Sequence, residues 1–164
     1  MQATFDGRFE RTDIWREGKW LDLWSVVHFL TGTSLGLGAT IFKFGSVESI
    51  IIVFLLLVSY EMWEAMVHIV ETPQNRFMDV VVGMTSFVPT FFFVPMMPQT
   101  AFILTFGLIF TVNVVLATFG WLASRKADVL EARLRLEITE QRAKFVARRA
   151  RRRARRLEKR QMDG

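Results

Sequence analysis

The feature that most constrains the fold is the segment from Ile50 to Val70, which is long and apolar enough to cross a membrane yet contains ionisable residues. A charged side chain at the centre of a bilayer costs about 2.5–3.5 kcal/mol on insertion scales. On a helix that turns about 100° per residue, Glu61, Glu64, His68 and Glu71 lie within about 80° of one another. These four residues, called the Glu61 seam below, therefore predict a polar stripe on an otherwise apolar helix.

The distribution of apolar residues predicts an all-α membrane protein. Residues 23–124 are mostly apolar, whereas residues 1–22 and 125–164 contain most of the charge. This pattern favours membrane spans with water-facing ends over a soluble domain. The predicted organisation is an interfacial N-terminal segment over 1–22, a four-transmembrane-helix bundle over 23–124 and a long basic cytoplasmic C-terminal helix over 125–164. The chain has no cysteine, which excludes disulfides and thiolate metal sites.

Turn-forming residues divide the apolar region into four predicted spans, at about 24–42, 47–70, 77–97 and 101–123. Each is close to the roughly 20 residues that cross the hydrocarbon core. Ser46 is the predicted N-cap of the second span, and Thr72 followed by Pro73 has the pattern of an N-cap and first helical residue. Pro89 is expected to kink the third span, which Pro95 and Pro98 end.

Lysine and arginine placement predicts the orientation. Basic residues flank the first span on its N-terminal side and the fourth on its C-terminal side, whereas the loops 43–46 and 95–100 contain one lysine. The positive-inside rule then places both termini in the cytoplasm. Tryptophans are expected to form a belt at the inner interface, namely Trp15, Trp20, Trp24 and Trp121.

With this topology, several polar residues come to a similar depth and form a predicted polar intramembrane cluster. Its members are His28, Glu61, Glu64, His68, Glu71, Asn75, Arg76 and Asp79. They predict a pocket that opens toward the cytoplasm with Glu61 at its floor. Four interpretations stay open: polar contacts that only hold the helices together, a substrate or lipid-headgroup pocket, a metal or haem site, and a proton relay through Glu61.

The spacing of the acidic residues and histidines argues against a metal. Four-helix di-iron proteins carry a Glu-x-x-His pattern on two helices. Here the Glu-to-His spacings within one span are seven and four, from Glu61 and Glu64 to His68. The sequence therefore predicts no metal and no cofactor.

The first span also carries small residues at the spacing that lets membrane helices approach closely. These are Gly32, Ser34, Gly36 and Gly38, which form two small-xxx-small pairs. We expect them to lie at a helix-packing surface.

Three short motifs resemble the VanZ-like family of small bacterial membrane proteins. They are His28-Phe29, Tyr60-Glu61-x-x-Glu64 and Asn75-Arg76-x-x-Asp79-x-x-x-Gly83, which together cover about residues 24–86. The resemblance implies a location in a bacterial inner membrane and four or five spans, with a His in an early span, a Glu in the next, and an Arg, Asp and Gly around the following loop. The best-known members are associated with glycopeptide-antibiotic resistance by an unsettled mechanism. Val82 and Thr85 stand where the family usually has an Asn after the Asp, and the basic tail has no counterpart in the family.

The C-terminal tail, residues 125–164, contains 15 Lys and Arg against 6 Asp and Glu, whereas residues 1–124 contain 6 against 10. The net charge of +5 therefore originates in the tail. No Pro or Gly interrupts 125–162, which favours helix. An arginine run is the predicted contact for anionic lipid or an acidic protein surface: Arg148, Arg149, Arg151, Arg152, Arg153, Arg155 and Arg156. A solvated tail and RNA contact are the other interpretations, and RNA is the least favoured because interleaved aromatics are missing.

These patterns favour a non-catalytic integral membrane protein. The predicted role is an accessory or structural subunit of a larger membrane complex, of respiratory or photosynthetic type, docked through the glycine-rich first span and the basic helix. Its predicted partners are membrane lipids and other membrane-protein subunits. The alternative, which the VanZ-like resemblance implies, binds or processes a lipid-linked or lipoglycopeptide ligand, with Glu61 or Glu64 as acid/base and Arg76 as an anion clamp.

Overall fold

The computed structural model describes residues 2–3, 9–10, 14–15, 18–42, 44–67 and 72–162, with side chains described at 14–15, 18–42, 44–67 and 72–151. Its helices are α1 (Leu23–Ala39), α2 (Ser46–Met66), α3 (Pro73–Phe93) and α4 (Gln99–Met162), with single 3₁₀ turns at Thr40–Phe42 and Val94–Met96. Four helices are long and apolar enough to cross a membrane, so the predicted helical class is confirmed at that level. Two short strands, β1 (Gln2–Ala3) and β2 (Phe9–Glu10), pair antiparallel.

The chain divides into two compact units. The bundle unit is Arg11–Ser124 and contains α1, α2, α3 and the first part of α4. The tail unit consists of Met1–Glu10 together with Arg125–Gly164. Within the tail unit, α4 carries ion pairs one turn apart, from Arg135 to Glu131 and from Lys144 to Glu140. Such exposed pairs each stabilise a helix by only about 0.3–0.5 kcal/mol.

Helix α1 begins where Asp22 caps it. The Asp22 carboxylate accepts hydrogen bonds from the backbone N–H groups of Trp24, at 2.7 Å, and Ser25, at 3.2 Å. The Ser25 hydroxyl in turn lies 3.3 Å from the backbone nitrogen of Asp22. This reciprocal capping box satisfies donors that the first turn of a helix leaves without partners.

Helix α2 begins one position away from the predicted cap. Gly45 holds the N-cap position with an extended backbone, and Ser46 is the first helical residue, so the predicted Ser46 cap is wrong. Glu48 lies in the first turn, where a negative charge interacts favourably with the helix dipole. The helix ends at Met66, and the last residues of the predicted second span, 68–70, lie outside the described residues.

Helix α3 confirms the predicted capping pattern and corrects the predicted start of the span. Thr72 is the N-cap and accepts a hydrogen bond from the backbone N–H of Asn75 at 3.2 Å, and Pro73 is the first helical residue. Asn75 and Arg76, expected in a loop, therefore lie in the first turn of the helix. Pro89 is inside the helix, which continues to Phe93.

Helices α1 and α3 pack closely because both carry small residues at the contact. A Cβ at Gly32 would overlap the carbonyl oxygen of Gly83 and the hydroxyl of Ser86, and one at Gly36 would lie 2.8 Å from Cβ of Thr90. Helix α2 adds Val53 and Leu57 to an apolar core that also contains Phe87 and Phe91 of α3.

The part of α4 inside the bundle unit contacts α1 at several levels. Asn113 donates a hydrogen bond to the hydroxyl of Thr31 at 3.0 Å. Farther along, Gly120 lies against Trp15 and Trp24, whose ring centroids are 5.2 Å apart. The end of the bundle part of α4 therefore lies beside the start of α1, so the two helices run in opposite directions.

Candidate functional site

Three ionisable side chains from three helices meet inside the bundle unit. Nε2 of His28 in α1 lies 3.0 Å from Oε1 of Glu61 in α2, and Nδ1 of His28 lies 3.6 Å from Oδ1 of Asp79 in α3. The residues, called the trio below, are 7%, 6% and 1% exposed, respectively. Their convergence joins α1, α2 and α3 at one point.

Helical spacing explains why these residues face inward. Glu61 follows Ser49, Val53 and Leu57 at intervals of four, and all four residues are buried, so Glu61 continues the inner stripe of α2. His28 lies four residues before Gly32, the glycine that contacts α3. Residues four apart lie on one face of a helix, so the faces that pack the helices together also carry the ionisable groups.

The orientation of His28 is fixed by the helix backbone. Its Nδ1 lies 3.0 Å from the carbonyl oxygen of Trp24, one turn earlier in α1. A carbonyl oxygen only accepts hydrogen bonds, so Nδ1 carries the proton and donates it to this bond. In the neutral ring, Nε2 is then the nitrogen with a free lone pair, and this is the nitrogen nearest Glu61.

Asp79 is held by a polar network that links the starts of α1 and α3. The Ser25 hydroxyl donates to Oδ1 of Asp79 at 2.8 Å, and Nδ2 of Asn75 lies 3.4 Å from Oδ2. The same Asn75 nitrogen donates to Oδ2 of Asp22 at 2.9 Å, and that oxygen also accepts from the backbone N–H of Gly18 at 2.7 Å. The network therefore fixes the position of the Asp79 carboxylate.

Glu61 differs from Asp79 because only one of its carboxylate oxygens has a close polar neighbour. Oε1 lies 3.0 Å from Nε2 of His28, whereas Oε2 is buried with no hydrogen-bond partner among the described residues. A buried polar group without a partner destabilises a fold by about 1–3 kcal/mol, and more when charged. Among the three residues of the trio, Glu61 is therefore the one whose burial is least compensated by neighbouring polar groups.

The structure brings together only part of the predicted polar cluster. His28, Glu61, Asn75 and Asp79 are buried and adjoin one another, whereas Glu64 and Arg76 are half-buried. His68 and Glu71 lie outside the described residues. The Glu61 seam therefore divides, since Glu61 enters the trio and Glu64 does not. Each side chain of the trio is less than 10% exposed, and the expected opening toward the cytoplasm stays a prediction.

Two residues of the network, Asp22 and Ser25, were missed by the sequence interpretation. Asp22 directly precedes an apolar run, and Ser25 follows it by three residues, which is a capping-box spacing. Ser25, His28 and Gly32 also recur at intervals of three and four, as one helix face requires. Either pattern could have placed both residues beside His28.

The remaining predicted residues have the following positions. Gly32 and Gly36 pack against α3, a Cβ at Gly38 would lie 3.8 Å from a ring carbon of Phe106 in α4, and Ser34 is buried. Arg148, Arg149 and Arg151 are exposed on α4. The other four arginines of the run, at 152, 153, 155 and 156, belong to α4, but their side chains lie outside the described part of the chain.

Comparison of the chain with protein-family models, with curated proteins and with solved structures yields no match. The resemblance to the VanZ-like family stays a prediction.

Proposed function

We propose that this chain is a non-catalytic integral membrane protein of the bacterial inner membrane that serves as an accessory subunit of a larger membrane complex. Four helices of sufficient length and apolar character support membrane insertion. The enclosed polar trio supports a structural role, because its side chains contact one another across three helices. Polar contacts between membrane helices contribute about 0.6 kcal/mol each on average.

The observation that carries the subunit proposal is the exposure of α4. None of the most apolar 18-residue window of α4 is buried within the chain, compared with 39% of the corresponding windows in α1 and α3. Large side chains such as Leu104, Leu108 and Phe119 are more than half exposed. A membrane helix with so little of its surface covered by its own chain leaves a face that a neighbouring subunit can cover. Without such a subunit, lipid covers this face.

The surface used for docking in this proposal differs from the one expected from the glycine pattern. Gly32 and Gly36 are covered by α3 of the same chain, so they are not available to a partner helix. We assign docking to the exposed face of α4 and to the arginine run. Near an anionic inner leaflet, each basic residue contributes about 1 kcal/mol of attraction.

Site-specific photo-crosslinking in native membranes tests the proposal. A photoreactive residue replaces Leu108 on α4 in one variant and the similarly exposed Leu55 on α2 in a matched control. We expect Leu108 to yield a discrete protein adduct in stoichiometric amount and Leu55 to yield mainly lipid adducts. Lipid adducts alone at Leu108, Phe110 and Val115, with the solubilised protein migrating alone, would contradict the proposal.

A second candidate is supported by the place where the resemblance residues meet. His28, Glu61 and Asp79 belong to the three motifs that resemble the VanZ-like family, and they converge in the trio. The alternative function is therefore binding or processing of a lipid-linked or lipoglycopeptide ligand at this site. Its test is expression in a glycopeptide-susceptible bacterium: resistance conferred by the wild type and lost in Glu61→Gln, with equal membrane levels, would favour it over the subunit role.

A further inference from the structure

We propose that the trio binds one divalent transition-metal ion, with Nε2 of His28 and the carboxylates of Glu61 and Asp79 as ligands. Each ligand comes from a different helix, so the ion would join α1, α2 and α3 at their shared contact. This site goes beyond the subunit role and does not depend on it.

The ligand atoms of the trio lie near one another, and side-chain rotation would bring them around one ion. Ligand atoms held at about 2.0–2.2 Å from a tetrahedral ion lie roughly 3.0–3.5 Å from one another. Nε2 of His28 and Oε1 of Glu61 are 3.0 Å apart, whereas Oδ1 of Asp79 lies 3.6 Å from the other ring nitrogen, Nδ1, so Asp79 and the ring must turn toward each other. One ligand atom from each of the three residues lies within 4.8 Å of the other two.

Hydrogen-bond partners outside the trio orient two of the proposed ligands, His28 and Asp79, as such partners do in metal sites. Metal-binding histidines usually donate the second ring N–H to a carbonyl or carboxylate, which fixes the tautomer. Here Nδ1 of His28 donates to the carbonyl oxygen of Trp24. Asp79 is likewise held, by the Ser25 hydroxyl at 2.8 Å. Two of the three ligands are thus preorganised by residues that do not themselves belong to the trio.

Glu61 supplies the second and independent observation. It is 6% exposed; Oε1 lies 3.0 Å from Nε2 of His28, and Oε2 is buried without a hydrogen-bond partner among the described residues. In a site held together only by hydrogen bonds, a buried carboxylate would accept several of them. Coordination to a cation provides an interaction for Oε2, which is buried and has no hydrogen-bond partner among the described residues.

Charge balance points the same way. In the metal-loaded site, two ionised carboxylates and a neutral imidazole carry a net charge of −2, which one divalent cation brings to zero. A neutral assembly avoids most of the cost of burying isolated charges in a medium of low dielectric constant. One imidazole with two carboxylates is a donor set that suits Zn²⁺, Fe²⁺ or Mn²⁺, and three protein ligands leave room for a further, non-protein ligand.

Metal analysis of the purified full-length protein is the first test. The protein is extracted in detergent, stripped with a chelator, reloaded with Zn²⁺ or Co²⁺, and freed of excess ion. We expect about one ion per chain, and a Co²⁺ absorption spectrum typical of nitrogen and oxygen ligands. Fewer than one ion per ten wild-type chains, with no Co²⁺ spectrum, would overturn the proposal.

Conservative variants separate this site from adventitious binding. Glu61→Gln and Asp79→Asn keep the side-chain volume but remove the anion, and we expect Zn²⁺ affinity at least about tenfold weaker, because even loss of an outer-shell partner weakens metal binding about 10–100-fold. Glu64→Gln, one turn farther along α2 and outside the trio, is the matched control and should bind Zn²⁺ as the wild type does. Circular dichroism and gel filtration identify the variants that remain folded. Equal Zn²⁺ affinity in folded Glu61→Gln and Glu64→Gln would also overturn the proposal.

Discussion

Glu61 lies on the same stripe of α2 as Val53 and Leu57, so the face that buries the apolar core also buries a carboxylate. Glu64 lies only about 60° away around the same helix, yet it is half-buried and does not enter the trio. Two carboxylates one turn apart on the same helix therefore differ in whether they join the polar core. The direction in which a residue faces decides this, and the number of acidic residues on the helix does not.

Asn75 is the residue whose replacement should most clearly weaken the network. It is fully buried, and its side-chain nitrogen lies near carboxylate oxygens of both Asp22 and Asp79. Asn75→Ala removes this donor from between two acidic groups, and we expect the free energy of unfolding to fall by about 1–3 kcal/mol. Thermal unfolding of the detergent-solubilised protein measures the change.

The adjacent Gln74→Ala is the control for this prediction, because Gln74 is exposed on the same turn of α3. We expect its midpoint of thermal unfolding to match that of the wild type. Equal midpoints for both variants would show that the Asp22–Asn75–Asp79 network does not stabilise the fold.

At the scale of elements, the packing of α1 on α3 depends on glycine rather than on large apolar side chains. Gly32 has the carbonyl oxygen of Gly83 and the hydroxyl of Ser86 where a Cβ would lie. Gly32→Ala should therefore force the two helices apart and displace His28 from Asp79. We expect a loss of stability of about 1–3 kcal/mol from overpacking.

Gly107 provides a matched control for the Gly32 variant, since a Cβ at Gly107 in α4 would meet nothing within 4 Å. Gly107→Ala should leave stability unchanged or raise it slightly, because alanine favours helix over glycine by up to about 1 kcal/mol. The two thermal unfolding curves measured side by side give the answer. Similar losses in both variants would contradict close packing of α1 on α3.

The elements themselves were largely predictable, because local signals specify them. Thr72 and Pro73 indicated the start of α3, and the apolar runs indicated four long helices. The partners of the polar residues were not predictable in the same way. His28, Glu61 and Asp79 are 33 and 18 residues apart in the sequence, and their contact depends on how α1, α2 and α3 pack. Helical spacing alone predicted that Glu61 and Glu64 both belong to the polar cluster. The packing of the helices buries Glu61 in the trio and leaves Glu64 outside it.

The basic part of α4 makes a further prediction about the membrane surface. The chain has no native cysteine, so Phe145→Cys, at an exposed position near the arginine run, can carry a single environment-sensitive dye. In proteoliposomes with anionic lipid, we expect a blue-shifted emission and protection from an aqueous quencher. Both effects should weaken in high salt, because salt screens exposed charges. The control is neutral lipid, and identical spectra in the two lipids would contradict lipid contact by the tail.

The whole molecule, as we propose it, crosses the membrane four times with both ends of the chain in the cytoplasm. The proposed orientation rests on the concentration of basic residues in 125–164, since segments rich in lysine and arginine beside a membrane span usually stay on the inner side. Substituted-cysteine labelling with a membrane-impermeant maleimide tests it on intact cells. Thr100→Cys, in the first turn of α4, should react from the outside, whereas Gln141→Cys should react only after the membrane is permeabilised. Both positions are exposed in the structure, so a difference in reactivity reports the side of the membrane rather than burial. The reverse labelling pattern would place the arginine run outside the cell, where the anionic inner leaflet could not attract it.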